Sequence, residues 1–158
     1  MAVKVMKRTA SDNKYLHRDF HVSCDIGIAY VGKRYGDEGV RQYLTQYVDS
    51  YLSPLAAAVR KEGFGPLVRY LEDLYETEEA SDKLRITQGE NTLQVQIIAC
   101  PAIAYMKSTG YQPSPWYAQT VSTLYQRLAE NAGLRFHLDS YQEETGAASF
   151  RFEKEVQP

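Results

Sequence analysis

The clearest strand pattern in the chain is Thr92-Leu-Gln-Val-Gln-Ile-Ile-Ala-Cys100, which Pro101 follows directly. Apolar and polar side chains alternate along it as far as Gln96, which indicates a β-strand with one buried face. From Ile97 onward both faces are apolar. Proline cannot donate a ladder hydrogen bond and favours an extended residue before it. We therefore predict that the strand ends at Cys100 and leaves the thiol at a buried strand end beside a loop.

Three further strands are predicted from the same alternation. Residues 83–87 form a short strand, and the polar residues 88–91 make the turn into the strand at 92–100. Near the C-terminus, residues 134–141 and 147–155 alternate in the same way. The chain therefore contains two predicted hairpins.

Helical patterns account for the first half of the chain. The first helix is predicted to begin at an N-cap among residues 11–13 and to end at Gly36. Its apolar row is Leu16, Phe20, Cys24, Ile28 and Val31. A second helix follows, in which Tyr43, Tyr47 and Tyr51 continue an apolar row of helical period, and we assign these tyrosines to the core.

Proline and glycine punctuate the remaining helices. Ser53-Pro54 either kinks the second helix or starts a short successor, and Gly65-Pro66 starts the next one. Residues 101–115 are interpreted as a loop. Ser114 then caps a last helix with Pro115 in its first turn, and Gly133 ends it.

The order helix, helix, helix, hairpin, helix, hairpin predicts an α+β fold. We expect a roughly four-stranded antiparallel sheet with about four to five helices packed mainly on one face. No linker divides the chain, so residues 1–158 are expected to form a single domain.

Composition excludes several classes of function. The 158 residues carry a formal charge of -2 with no basic block beyond Lys4, Lys7 and Arg8, so we expect no nucleic-acid partner. No window approaches the ~18 apolar residues of a membrane span, and no signal-peptide pattern is present. We predict a cytoplasmic protein with free thiols at Cys24 and Cys100. Thirteen tyrosines supply rings for a pocket or an interface.

Few motifs indicate chemistry. His17, His21 and Asp25 share a helix face and could meet a common ligand, but His-Glu-x-x-His is absent and a hydrogen-bonded histidine explains His21 equally well. The chain also lacks a phosphate-binding glycine loop, a nucleophile elbow and a dinucleotide fingerprint. We expect neither a metal nor a cofactor.

Cys100 has two interpretations. Free cysteine is often simply buried, whereas a nucleophile needs a neighbouring base to lower its pKa. Only His21 and His137 look able to reach a pocket at the strand end. Arg151, on the polar side of the last strand, serves either a cross-strand ion pair or a substrate carboxylate.

Several segments together resemble the L-2-amino-thiazoline-4-carboxylic acid hydrolase family. They are Asp19-Phe-His21, Tyr35-Gly-Asp-Glu-Gly-Val-Arg-Gln-Tyr-Leu44, Leu52-Ser-Pro-Leu55 and Ala99-Cys-Pro-Ala-Ile-Ala104. The similarity runs from about residue 15 to 152. The family's last hairpin carries a cysteine shortly after a glycine, whereas Gly146-Ala-Ala-Ser-Phe-Arg151 has none.

The resemblance implies a hydrolase that opens a small cyclic amidine by attack of water or a thiol. Carried over by position, it assigns Cys100 and His21 to the site. Our first hypothesis makes Cys100 the nucleophile or a ligand, His21 the base and His137 an auxiliary group. It adds three residues that bind the substrate: Asp25, Tyr105 and Arg151. A second hypothesis is a non-catalytic small-ligand-binding domain, because the element order is also similar to vinyl-reductase-like (4VR) domains. A third hypothesis is a homodimer whose interface is formed by the tyrosine-rich helix faces.

Overall fold

The computed structural model describes residues 18–155. Its helices are α1 (Asp19–Tyr51), α2 (Ser53–Glu62), α3 (Gly65–Thr77), α4 (Pro101–Ser108) and α5 (Gln119–Ala132). Its strands are β1 (Leu84–Gln88), β2 (Thr92–Ile97), β3 (Leu134–Tyr141) and β4 (Ala148–Lys154). The candidate N-caps at residues 11–13 and the candidate ligand His17 lie outside the described residues.

The four strands form one antiparallel sheet in the order β1-β2-β4-β3. Hairpins β1–β2 and β3–β4 join through the β2–β4 pair, in which Val95 lies opposite Phe150. These two residues are fully buried and pack with residues of α2, α3 and α5. The prediction of an α+β fold with helices on one face of a four-stranded sheet is therefore confirmed.

The opposite face of the sheet is polar. Arg85, Gln96 and Arg135 are exposed there, at positions that alternate with the buried apolar residues. His137 and Arg151 are cross-strand partners on the same face. The two faces of the sheet thus separate the core and its helices from a charged, solvent-facing surface.

Helix α1 is broken at Gly36, whose φ of 68° and ψ of -167° are not helical. Ile28 packs with Val40 and Leu44 in a small apolar cluster. A straight helix would hold Ile28 and Leu44 about 24 Å apart, so segments 19–35 and 37–51 must fold back on each other. The predicted helix end at Gly36 is confirmed, and α1 is a helical hairpin.

The assignment of the tyrosine stripe to the core is wrong. Val40, Leu44 and Val48 fill the buried side of the second segment, while Tyr43, Tyr47 and Tyr51 are 45%, 41% and 72% exposed. Phe20, predicted in the apolar row of the first helix, is 62% exposed as well. The apolar stripe is wider than the surface that the rest of the fold covers.

The segment after β2 also differs from expectation. The strand ends at Ile97, and a bend at Ile98 and Ala99 separates it from Cys100. Residues 101–108, interpreted as a loop, form helix α4 with Pro101 in its first turn. Proline has no backbone N–H to donate. Neither the first turn of a helix nor the end of a strand requires that hydrogen bond, so proline fits both places.

Helix α5 begins at Gln119, later than predicted, and residues 115–118 form turns before it. Ser114 does not cap the helix because its hydroxyl donates to Asp25. The end at Gly133 is confirmed, since that glycine adopts the left-handed conformation. Within the described range, no helix has both the length and the apolar character to span a bilayer.

Candidate functional site

Cys100 lies directly before the first turn of α4. Its backbone is extended, and its amide donates to the carbonyl of Thr145 at 2.9 Å, which ties it to the turn between β3 and β4. Gly146 in that turn has a φ of 66°, and a side chain there would overlap with Cβ of Cys100. The glycine that the resemblance singled out thus packs on the cysteine.

Opposing effects act on the Cys100 thiol. Burial raises its pKa, while the backbone amides of Ile103 and Ala102 and the hydroxyl of Tyr117 oppose that rise as hydrogen-bond donors. The net pKa is above the ordinary value. Cys100 therefore rests as a neutral thiol at neutral pH, beside donors that would stabilise a negative charge.

Cys100 is one of the residues that line a cavity of about 380 Å³. It lies within the size range of pockets for small molecules. Its lining includes Arg18, Glu78, Glu79, Asp82, Lys83, Cys100, Tyr105 and Ser108. The site is therefore built by the start of α1, the end of α3 and the first turns of α4.

Glu78 connects this cavity to His21. The side chains of His21 and Glu78 are 17% and 11% exposed, respectively. Nε2 of His21 lies 2.7 Å from Oε1 of Glu78. Burial raises the pKa of Tyr75, and negative charge at Cys100 and Glu78 adds to the rise, so thiol and carboxylate lie near each other. His21 does not line the cavity itself but contacts Glu78, which does.

Charged groups at the cavity are mostly paired. Arg18 donates to Glu79 at 3.0 Å, and Lys83 donates to Asp82 at 2.6 Å. Tyr105, predicted to bind substrate, lines the cavity and donates its hydroxyl to Asp19. The lining thus includes both cations and carboxylates, which suits a ligand that carries charges of both signs.

Asp25 is placed differently from the other predicted site residues. It is fully buried, and its carboxylate accepts from the Tyr111 hydroxyl at 2.9 Å and from the Ser114 amide and hydroxyl at 2.7 and 2.8 Å. It is not among the residues that line the cavity. Asp25 anchors the segment that leads to Tyr117, and so reaches Cys100 only indirectly.

His137 and Arg151 are not brought to the cavity. Both lie on the polar face of the sheet, away from the helices. Nε2 of His137 is 3.3 Å from Glu153 without hydrogen-bond geometry, and Arg151 is ion-paired with Glu153 and Asp139. Of Cys100, His21 and His137, only Cys100 lines the cavity, and His21 reaches it through Glu78.

Sequence reasoning missed Arg18, Glu78 and Tyr117. Glu78 sits in the acidic run Glu76-Thr-Glu-Glu79, where nothing in the pattern separates this largely buried carboxylate from its exposed neighbours. Tyr117 falls within the predicted last helix, where no sequence signal links it to Cys100. In residues 18–155, no group of three or more His, Cys, Asp or Glu side chains could hold a metal ion.

Comparison with protein-family models, with curated proteins and with solved structures finds no significant match for this chain. The resemblance to the thiazoline hydrolase family therefore stays a prediction.

Proposed function

We propose that this chain binds a small molecule that carries both a carboxylate and an amidine or amide group, in the cavity beside Cys100. The observation that supports this most strongly is Glu78, which is held by His21 at 2.7 Å and lines a cavity that Arg18 and Lys83 also line. A carboxylate can receive two parallel hydrogen bonds from an amidinium, and a cation can bind the carboxylate of the ligand.

Hydrolysis of the bound molecule is the second candidate. It is favoured by the donors at the start of α4, which could stabilise negative charge next to Cys100. In this scheme water adds its oxygen to the amidine carbon, and both of its protons pass to the ring nitrogen by way of the His21–Glu78 pair. The ring C–N bond breaks to leave a carbonyl and a free amine.

Water is the better nucleophile in this scheme because burial raises the pKa of Cys100 and keeps it a thiol. Cys100 then forms the cavity wall, and Cys100→Ala retains turnover. We also place this activity in the cytoplasm, where unpaired cysteines such as Cys24 and Cys100 are the norm.

Titration with L-2-amino-thiazoline-4-carboxylic acid tests the binding proposal. We expect saturable shifts of amide NMR signals from residues at the cavity. Glu78→Gln should weaken binding about ten- to hundredfold, because a neutral amide replaces the charge-assisted acceptor. Release of amine and carbonyl product, followed in the same samples, reports hydrolysis.

Glu153→Gln is the matched control, since it also removes a carboxylate beside a histidine but on the opposite face of the sheet. It should leave the affinity unchanged. Equal losses in both variants, or shifts confined to the polar face of the sheet, would count against the cavity as the binding site.

A further inference from the structure

The helical hairpin α1 carries an aromatic surface whose rings stay 41% to 72% exposed, although Tyr70 of α3 lies near one of them, Tyr47. A groove of about 450 Å³ runs between its two segments, lined by Val31 and Tyr35 on one side and Tyr43 on the other. We call this surface the tyrosine face. Its members are Phe20, Val31, Tyr35, Tyr43, Tyr47 and Tyr51.

These residues form one continuous surface. Burial raises the pKa of Tyr47, and the neighbouring Cys24 adds to the rise, so Cys24 of the first segment lies beside Tyr47 of the second. Phe20 is one helical turn from Cys24, and Tyr51 is one turn from Tyr47. The Tyr47 and Tyr51 rings are 5.2 Å apart, so the ring pair extends the groove towards Phe20.

The tyrosine face has the composition of an interface and supplies about three quarters of the area that a stable dimer buries on each partner. With exposures of 41% to 72%, its five rings present about 600 Å² to solvent, taking about 200 Å² for each full ring. A stable dimer buries about 800 Å² on each partner. None of the six side chains is charged, and Glu38 at the edge of the groove is already paired with Arg41 at 3.0 Å. Interface cores are likewise rich in tyrosine and poor in charge.

We propose that the tyrosine face is the interface of a homodimer, in which the helical hairpins of two copies pack across a two-fold axis. A second copy is favoured over another partner because the six side chains of the face carry no charge, and the cation beside them, Arg34, is held against the Tyr35 ring and donates to its hydroxyl at 3.1 Å. Gly27, seven residues from Phe20 on the same side of the helix, has open space where a side chain would stand. This allows the backbone of the second copy to approach closely.

Sedimentation of the full chain over a range of micromolar concentrations tests the proposal. The wild type should sediment as a dimer. Tyr51→Arg should raise the dimer dissociation constant at least about tenfold, and the double variant Tyr43→Arg/Tyr51→Arg about a hundredfold or more, because each arginine would bury an unpaired charge. Tyr51 is exposed in the single chain, so circular dichroism should show an unchanged fold.

Ile26→Arg is the matched control. Ile26 lies in the same segment and is 54% exposed, but it is about 140° around the helix from Val31. The dimer should survive this change. A monomeric wild type would overturn the proposal, and so would a Tyr51→Arg variant that stays fully dimeric or an Ile26→Arg variant that dissociates equally.

Discussion

Asp25→Ala is expected to lower the free energy of unfolding by about 3–5 kcal/mol, because it removes a buried carboxylate that accepts three hydrogen bonds. The Ser114 amide and the Tyr111 hydroxyl would be left without this acceptor. The loss is a large part of the 5–15 kcal/mol that is typical of a domain. Urea unfolding followed by circular dichroism measures it.

Asp49→Ala provides the control for burial. Asp49 also accepts three hydrogen bonds, from Nε and Nη2 of Arg127 and from Nδ2 of Asn131, but its side chain is 40% exposed. We expect Asp49→Ala to lower the free energy of unfolding by about 1 kcal/mol or less. Similar costs for both variants would show that Asp25 is not the buried anchor described here. Asp25→Asn, which keeps one acceptor, should fall between the two.

The second large effect is a cooperative loss of structure in alkali. Burial raises the pKa of Tyr70 and Tyr141 to about 12, and it raises the pKa of Tyr75, Tyr117 and Tyr125 further. Each of these groups ionises near pH 10 in the unfolded chain. Their contribution to stability is therefore complete below about pH 10 and is lost as the pH rises towards 12 and beyond.

In that window each deeply buried tyrosine lowers the stability by about 1.4 kcal/mol per pH unit. Tyrosinate absorbance and circular dichroism should therefore change together between about pH 10 and 12. Tyr125→Phe removes one such group and should move the midpoint to higher pH. Complete tyrosine ionisation while the circular dichroism stays native would contradict the buried positions assigned to these rings.

The sheet and most helix ends could be predicted because their causes are local. The alternation in β2 and β4 fixes which side chains face the core, and glycines such as Gly36 and Gly133 adopt backbone conformations that end helices. The prolines in the first turns of α2 and α3 likewise favour helix starts at their own positions. None of these features depends on a distant partner.

The errors arose where a distant partner decides the outcome. Ser114 is a good N-cap by sequence, but Asp25, 89 residues away, takes its hydroxyl. Pro101 could end a strand or begin a helix, and the bond from the Cys100 amide to Thr145 is non-local. The tyrosine stripe of α1 has helical period, but period alone cannot tell which part of a wide stripe the other helices cover.

In the candidate site, too, the residues with a local sequence signal were predicted and those that depend on a distant partner were not. Cys100 and His21 were predicted from the sequence, by their position and by the resemblance. Glu78, which connects them, becomes visible only when α3 brings it 2.7 Å from His21. His137 was predicted because it looked able to reach a pocket at the strand end, but the strand register places it on the other face of the sheet.

The most direct test of the cavity is the alkylation of Cys100 by iodoacetamide in a Cys24→Ser background, followed by mass spectrometry. Because burial raises the pKa of Cys100, we predict slow alkylation at neutral pH that accelerates above pH 9. Saturating L-2-amino-thiazoline-4-carboxylic acid should slow it at least about tenfold more by filling the adjacent cavity. Fast alkylation at neutral pH, with a rate that the bound ligand leaves unchanged, would contradict this account of the site.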